Sequence, residues 1–409
     1  MASYQNYAPE YQIKINGESI PARLRAAITS VNYQDGVEGA DQVQVALANA
    51  DMRLLDHPLL QIDNKFELAI GYAPDTLLDV FVGEITGVEA SFPSGGMPTI
   101  NIVAHDFLQR LTAGSKERAF AIKIPKIGHF PVADPDVVTL VSFTNGLLPA
   151  VDPIGGALSF LSLGISYALN PLDAKKAIRF QQGESDFDFL SGIARQNGWD
   201  MYIDHDLKPR GHVLRFKFLL QDYAPSVSLT WGESLMDFNP RYSSVGQVFG
   251  VSARIWIPAA KLEIVFVLGW DDVRRKFDLS VYPGIGSLEE VLDESVSQRI
   301  FKIQSNSPAK APNQALAELL ERLYRRLTAS GSAVGNPNIR SGKVISLQGL
   351  GERFSGLYRI TNTTHTFDSG GYKTSFEVRH EPWFGGMPTP PTRPSLFRLQ
   401  GQSIRRSGS

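Results

Sequence analysis

Apolar and polar residues alternate along much of the chain. The period of two is clear in Tyr11–Ile15, Gln42–Leu47, Phe66–Ile70, Val213–Phe218, Val344–Leu347 and Ser375–Val378, each bounded by Gly, Pro, Asn or Asp. Alternation sends successive side chains to opposite faces of a strand, so these runs predict sheets with one buried face. Two segments follow a helical period instead. In the first, Ser185 can cap the amide of Asp188, Phe187, Leu190 and Ala194 share a face, and Gly198 suits the residue after the last turn, which predicts a helix over 186–197. In the second, Pro312 opens a run of Ala315, Leu316, Leu319, Leu320, Leu323, Tyr324 and Leu327 before Gly331, which predicts a helix over 312–329. Its Arg325 and Arg326 answer the helix dipole and need no nucleic-acid role. Asp134-Pro135-Asp136 opens a shorter helix.

An internal echo recurs at an offset of 275 residues. Residues 85–106 read ITGVEASFPSGGMPTINIVAHD and residues 360–381 read ITNTTHTFDSGGYKTSFEVRHE. Without a gap, Ile85, Thr86, Phe92, Ser94, Gly95, Gly96, Thr99, Val103 and His105 fall on Ile360, Thr361, Phe367, Ser369, Gly370, Gly371, Thr374, Val378 and His380. Shared strand composition is the plainer explanation. Duplication explains more, because each copy sets Ser-Gly-Gly between two strand-like runs, where glycine can supply positive φ. The expectation is two hairpins with matching turns in two related β domains, one near each end.

The chain has 409 residues, 43% hydrophobic and 20% charged, enough for two or three domains with proper cores. Lys and Arg number 40 against 42 Asp and Glu, so no overall field draws the chain to nucleic acid or an anionic membrane. The absence of cysteine excludes disulfides, thiolate metal sites and a cysteine nucleophile. The N-terminus carries no basic region followed by an apolar core, so no secretory signal and cytoplasmic synthesis are expected. Pro153–Leu172 is free of charge but is interrupted by Gly155, Gly156 and Gly164, and its apolar heart is shorter than the roughly 20 residues a span needs. It reads as a buried or oligomer-facing loop with a short helix.

Enzyme signatures fail one by one. The seven histidines (His57, His105, His129, His205, His212, His365 and His380) include no pair at i, i+4. Asp204-His205-Asp206 with His212 could be drawn as a metal cluster, but Pro209 and Gly211 mark a turn that explains the same residues. Gly164-Ile-Ser166-Tyr-Ala168 lacks the second glycine of a nucleophile elbow, and Gly335 through Val344 misses phosphate-loop spacing. Asp271–Asp272 and Glu289–Glu290 are sequence neighbours that point apart. No catalytic, cofactor-binding or metal-binding residue is nominated, and no cofactor is expected.

The order of short motifs along the chain carries a resemblance to a known family. The resemblance rests on Ala40-Asp41-Gln42-Val43, Ala69-Ile70-Gly71-Tyr72, Val80-Phe81-Val82-Gly83-Glu84-Ile85-Thr86 and Ala104-His105-Asp106. It continues through Ser185-Asp186-Phe187-Asp188-Phe189-Leu190, Asn197-Gly198-Trp199, Trp231-Gly232-Glu233-Ser234-Leu235, Gly335-Asn336-Pro337, Phe354-Ser355-Gly356-Leu357-Tyr358 and Gly371-Tyr372-Lys373-Thr374. In that order they resemble the late control gene D protein family of contractile phage tails, the baseplate hubs also similar to the N-terminal part of type VI secretion spike proteins. The resemblance implies a mainly β protein with α/β insertions, whose two barrel-like domains make a pseudo-six-fold ring in a homotrimer.

The expected divisions are a first β domain over 1–113, an α/β middle region over 114–230, a second β domain over 231–380 and a Pro-rich basic arm over 381–409. The implied role is a non-enzymatic adaptor between a hexameric tail tube and a trimeric spike, with the tube protein, a separate spike protein and baseplate components as partners. No nucleic-acid specificity and no stable membrane span are expected. Assembly into a phage tail or contractile injection particle follows synthesis in the cytoplasm. A tail-associated cell-wall-degrading enzyme and a β-rich receptor-binding protein are the rival readings.

Overall fold

The computed structural model describes residues 8–125, 128–153, 155–157, 159–160, 163–164, 178–218, 223–243, 250–257, 261–271, 274–283, 300–304 and 311–384. The chain opens with β1 (Ala8–Ile15), β2 (Glu18–Ser19), the short helix α1 (Ala22–Ala27), β3 (Ile28–Gly36), β4 (Gln42–Ala48), β5 (Lys65–Ala73), β6 (Leu78–Ser91) and β7 (Thr99–Asp106). A middle segment follows with β8 (Lys116–Ile124), β9 (Gly128–Pro131), α2 (Asp134–Thr144), β10 (Leu148–Val151), β11 (Arg179–Glu184), α3 (Asp186–Asn197), β12 (Trp199–Ile203) and β13 (Val213–Phe218). Next come β14 (Pro225–Thr230), β15 (Leu235–Tyr242), β16 (Gly250–Ile257), β17 (Leu262–Asp271), β18 (Lys276–Pro283), β19 (Ile300–Gln304) and α4 (Ala311–Tyr324). The last strands are β20 (Leu327–Val334), β21 (Val344–Gln348), β22 (Gly356–Asp368) and β23 (Gly371–Arg379). The protein is mainly β, and all six alternating runs lie in strands.

Six strands at each end follow one plan. The first unit runs β3-β4-β7-β6-β5-β1 across its sheet, and the second runs β15-β20-β23-β22-β21-β14. Chain order corresponds strand for strand, with β16–β19 and α4 inserted between β15 and β20. Even the bulges recur. Ile85 faces Ala104 and Gly87 faces Val103, which leaves Thr86 as the extra residue; Ile360 faces Val378 and Asn362 faces Glu377, which leaves Thr361. Thr29 in β3 and Met236 in β15 are a second matching pair. One strand departs from the plan: β1 is antiparallel to β5, whereas β14 is parallel to β21.

The pairing corrects the ungapped echo. Because Ala104 and Val378 occupy the same place, β7 maps onto β23 at an offset of 274, one residue from the sequence alignment. A slip of one residue exchanges the faces of a strand. At the corrected offset the buried Ile100, Ile102 and Ala104 coincide with the buried Thr374, Phe376 and Val378. The extra residue sits in the turn, and the two turns differ: Ser91 faces Thr99 across the loop 92–98, whereas Asp368 faces Gly371 across two residues. Gly371 has φ of 105°, while Gly95 and Gly96 do not adopt the left-handed region.

Each unit closes on its own core. Ile13 and Ile15 of β1 and Val31 and Tyr33 of β3, from opposite ends of the strand order, join one cluster with Val43, Phe66, Leu68 and Phe81. The Tyr33 hydroxyl donates to the Val80 carbonyl at 3.1 Å across that curled sheet. The second core gathers Leu229, Leu235, Ala329, Ile345, Leu347, Tyr358 and Phe376. The units fuse because β22 also pairs with β3, from Asn362 opposite Gly36 to Phe367 opposite Val31, giving one thirteen-stranded sheet.

Helix α3 spans the residues read from the sequence. Ser185 Oγ accepts from the Asp188 amide at 3.0 Å, and Gly198 has φ of 68°. Helix α4 ends at Tyr324, short of the expected 329, because Leu327–Val334 pairs with both β15 and β23 and Leu327 enters the second core. The segment Pro153–Leu172 lies largely outside the described residues, as does the chain beyond Phe384. Glu381 to Phe384, the first residues of the stretch read as a Pro-rich basic arm, pack on the body of the chain: Glu381 is fully buried, and the Trp383 ring lies 5.9 Å from Tyr324.

Replacing Gly371 by Val is expected to cost about 1–3 kcal/mol from backbone strain, whereas Gly95→Val should be close to neutral. Denaturant unfolding of the two variants measures this, and equal losses would contradict the difference between the turns.

Candidate functional site

Charged groups from segments far apart in sequence meet in one buried junction. Asp35 lies on β3, Asp41 precedes β4 and Asp106 closes β7, so all three stand on the first unit. His205 lies in the turn after β12, and Arg340 in the loop between β20 and β21. All five are at most 5% exposed.

Backbone amides hold the carboxylates. Gly36 N–H donates to Asp41 Oδ1 at 3.1 Å, Asp41 N–H to Asp106 Oδ2 at 3.1 Å, and Leu108 N–H to Asp106 Oδ1 at 2.9 Å. Val82 N–H donates to His205 Nδ1 at 3.3 Å, which leaves Nε2 as the protonated nitrogen, 3.2 Å from Asp41 Oδ2. Arg340 donates to Asp206 Oδ1 at 2.5 Å and to the Val80 carbonyl at 3.4 Å, and its Nε is 3.9 Å from Asp35 Oδ2. Lys343 Nζ is 2.8 Å from the other Asp206 oxygen. Asp35 also accepts from the Thr363 hydroxyl and, at 3.1 Å, from the Ser341 amide. These bonds tie the first unit to the middle segment and to the second unit.

Burial sets the electrostatics here. It raises the Asp35 carboxyl to about 6, the negative charge of Asp41 adds to the rise, and Arg340 opposes it. Burial, then Asp41, likewise pushes Asp106 well above the ordinary carboxylate range. The ligand atoms of Asp41, Asp106 and His205 lie within 4.8 Å of one another, a donor set that suits a divalent ion. Each carboxylate oxygen and ring nitrogen of the three already has a protein partner, so the set serves as a clasp between segments.

A second buried network lies on the far side of β22. Arg359 and Glu381 form a two-pronged pair at 2.9 and 3.0 Å, with neither residue exposed. Arg359 also donates to the Gly342 carbonyl at 3.0 Å, and Trp383 Nε1 donates to Glu381 at 3.0 Å. Arg379 bridges from Glu381, at 3.4 Å, to Asp200 on β12, at 3.0 Å. Beside it an open groove of about 1230 Å³ runs between α3, α4 and the second unit. Its Glu318 and Glu321 are tied to Arg322 and Arg325 one turn on.

A family model described as the Alg8 N-terminal domain matches residues 161–369, just over half of the chain. The chain belongs to that family. The match covers His205, Arg340 and Arg359 but stops before Glu381 and leaves out Asp41 and Asp106. It is a different family from the late control gene D proteins that the motifs resemble. No curated protein matches the sequence.

In fold, the chain is similar to the 43 kDa tail protein of prophage MuSo2 from Shewanella oneidensis, with TM-score 0.60 and 13% identity over 93% of this chain and 100% of that one. It is also similar to a tail protein from Neisseria meningitidis MC58, with TM-score 0.58 and 10% identity over 92% and 98%. A third is the E. coli c3393 protein, described as a type VI secretion component similar to the T4 bacteriophage tail proteins gp27 and gp5, with TM-score 0.53 and 13% identity over 94% and 81%. At such identities the likeness is one of fold, and it extends over nearly the whole chain.

The motifs weighed from sequence are scattered. Asp204 Oδ1 accepts the amides of Asp206 and Leu207, as a turn requires, yet His205 is buried and faces Asp41 and Asp106, not its neighbours. His212 stacks on Phe107 at 4.5 Å. His365 is enclosed between Tyr372 and the Ile339 carbonyl, and burial with Arg340 nearby lowers it to about 3. The stretch from Gly335 to Val344 is the loop that delivers Arg340. Ser166, Asp272, Glu289 and Glu290 lie outside the described residues. Among the described residues, no helix is long and apolar enough to cross a membrane.

An acid whose folded-state pKa is raised is stabilised by its proton, so the Asp35 contribution is present at pH 4 and lost as pH rises through about 6. The stability of the wild type relative to Asp35→Asn is therefore expected to increase as pH falls from about 7 to 4. Paired urea titrations test this, and a difference independent of pH would contradict it. Glu381→Gln should cost about 3–5 kcal/mol by leaving Arg359 buried without its counter-charge. By contrast Glu321→Gln, at an exposed pair, should change stability by less than about 1 kcal/mol. Thermal and urea unfolding distinguish the two.

Proposed function

We propose that this chain is a structural baseplate hub of a contractile phage tail or related injection machine, a homotrimer that joins a hexameric inner tube to a trimeric spike. The observation that carries this reading is the repeated six-strand unit, matched in strand order, chain order and bulge position. Three chains can offer six like docking positions only if each contributes two. The fold shared with tail proteins from two bacteria supports the reading, as does the order of motifs resembling late control gene D proteins. The junction acids hold backbone amides, His205 and Arg340, which suits a scaffold that transmits force better than a hydrolytic site. In this reading the spike is a separate subunit, and the protein ends its life in an assembled particle.

Light scattering is expected to find a species of about three times the 45.0 kDa of one chain, or that mass plus the mass of the spike when the spike is present. A monodisperse monomer that stays monomeric with the spike present would contradict the hub. Peptidoglycan clearing that is lost on replacing a single carboxylate would favour the enzyme reading.

A further inference from the structure

The two ends of the long sheet are counterparts of strands that already meet inside the chain. Strand β22 pairs with β21 up to Arg359 and then with β3 from Asn362 to Phe367. Its counterpart β6 pairs with β5 up to Glu84, and among the described residues Gly87–Ser91 pair only with β7. The counterpart of β3 is β15, which among the described residues pairs along its length only with β20. Among the described residues, what is joined in one copy of the unit stands open in the other.

Exposure follows the same asymmetry. Phe367 is 5% exposed, whereas Phe92, its counterpart at the offset of 275, is 55% exposed. Val31 and Tyr33 on β3 are fully buried, whereas their counterparts Phe238 and Pro240 on β15 are half-buried. Inside the chain the tip residues Phe367 and Tyr372 stack at 4.0 Å and reach Tyr11 and Tyr72 of the first unit. The tip of the other hairpin exposes Phe92 and Met97, Met236 is exposed near the start of β15, and Trp231 is exposed just before that strand.

We propose that a second copy of this chain lays the end of its β6, Gly87–Ser91, and the following Phe92 along the edge of β15 that is open among the described residues, extending the thirteen-stranded sheet from chain to chain. Transferring the register of β22 and β3 sets Val88 opposite Tyr242, Glu89 opposite Arg241, Ser91 opposite Asn239 and Phe92 opposite Phe238. Opposite charges and paired aromatics at facing positions are what stabilise neighbouring strands. A symmetric β6–β6 pair centred on Glu89 would set that carboxylate against its own copy, and a β15–β15 pair centred on Arg241 would do so with the guanidinium. Pro240 faces Ala90 and brings a carbonyl but no N–H, so the ladder has at most one donor fewer. The contact joins different surfaces of the two copies, and such a head-to-tail contact closes into a ring when the rotation permits. The inference rests on the ring of the hub reading and assigns its seam.

The cysteine-free chain allows a direct test. Ser91→Cys combined with Asn239→Cys, both at exposed positions, should give under oxidation a ladder on a denaturing gel that ends at three chains. Facing strand residues lie about 4.5–5.5 Å apart at Cα, within disulfide reach. Ser91→Cys with Asp237→Cys, two residues along, should cross-link far less. Glu89→Arg should weaken assembly about tenfold, and adding Arg241→Glu should restore it. A trimer by scattering without the cross-link, and indifferent to charge reversal, overturns the seam and leaves the hub standing. Cross-linked ladders from a chain that scatters as a monomer support the seam and count against a stable trimer. Absence of both overturns both.

Discussion

At Thr361 strand β22 changes partner, and much of the structure depends on that change. Up to Arg359 the strand belongs to the second unit's sheet; after the bulge its edge turns to β3 of the first. A bulge adds a residue and local twist, which is what a strand needs to leave one curled sheet for another. The rest of β22 then carries Phe367 into the first core, so two units that could each be a small domain share a backbone ladder and an aromatic contact. Neither can tilt against the other without breaking both.

The charged junction is a consequence of that fusion. Where two curled sheets and a middle segment converge, the amides of Gly36 at the end of β3, Asp41 before β4, Leu108 after β7 and Ser341 before β21 find carboxylates and not strand carbonyls. Asp35, Asp41 and Asp106 accept those amides, and Arg340 offsets part of their charge. Removing water from these carboxylates is unfavourable, as the raised Asp35 and Asp106 show. Leaving the amides unpaired would be worse. Arg359, Arg379, Glu381 and Asp200 form a separate charged network where the chain after β23 packs against the middle segment.

Local signals in the sequence were enough for the strands and for α3, because alternation, Ser185 and Gly198 act over a few residues. They misled where a distant partner decides the outcome. Leu327 fits the helical spacing of α4 as well as a strand, and only pairing with Phe376's strand and β15 settles it. Val103 with Val378 and His105 with His380 are identities in the sequence, yet one extra residue in the loop 92–98 puts each pair out of register. The junction was the least legible part. Asp41, Asp106, His205 and Arg340 come from four separate segments, and the one local hint, Asp204-His205-Asp206, pointed to neighbours when the true partners lay across the chain.

In the proposed hub, each chain contributes two equivalent β units that alternate around an axis. A density map of the purified assembly viewed down that axis tests it most directly. Six similar curled sheets from three chains, with the contact between chains repeating the β22–β3 contact within a chain, is the predicted result. An assembly in which the two units occupy unlike surroundings, or in which chains meet through two-fold symmetric faces, would contradict it.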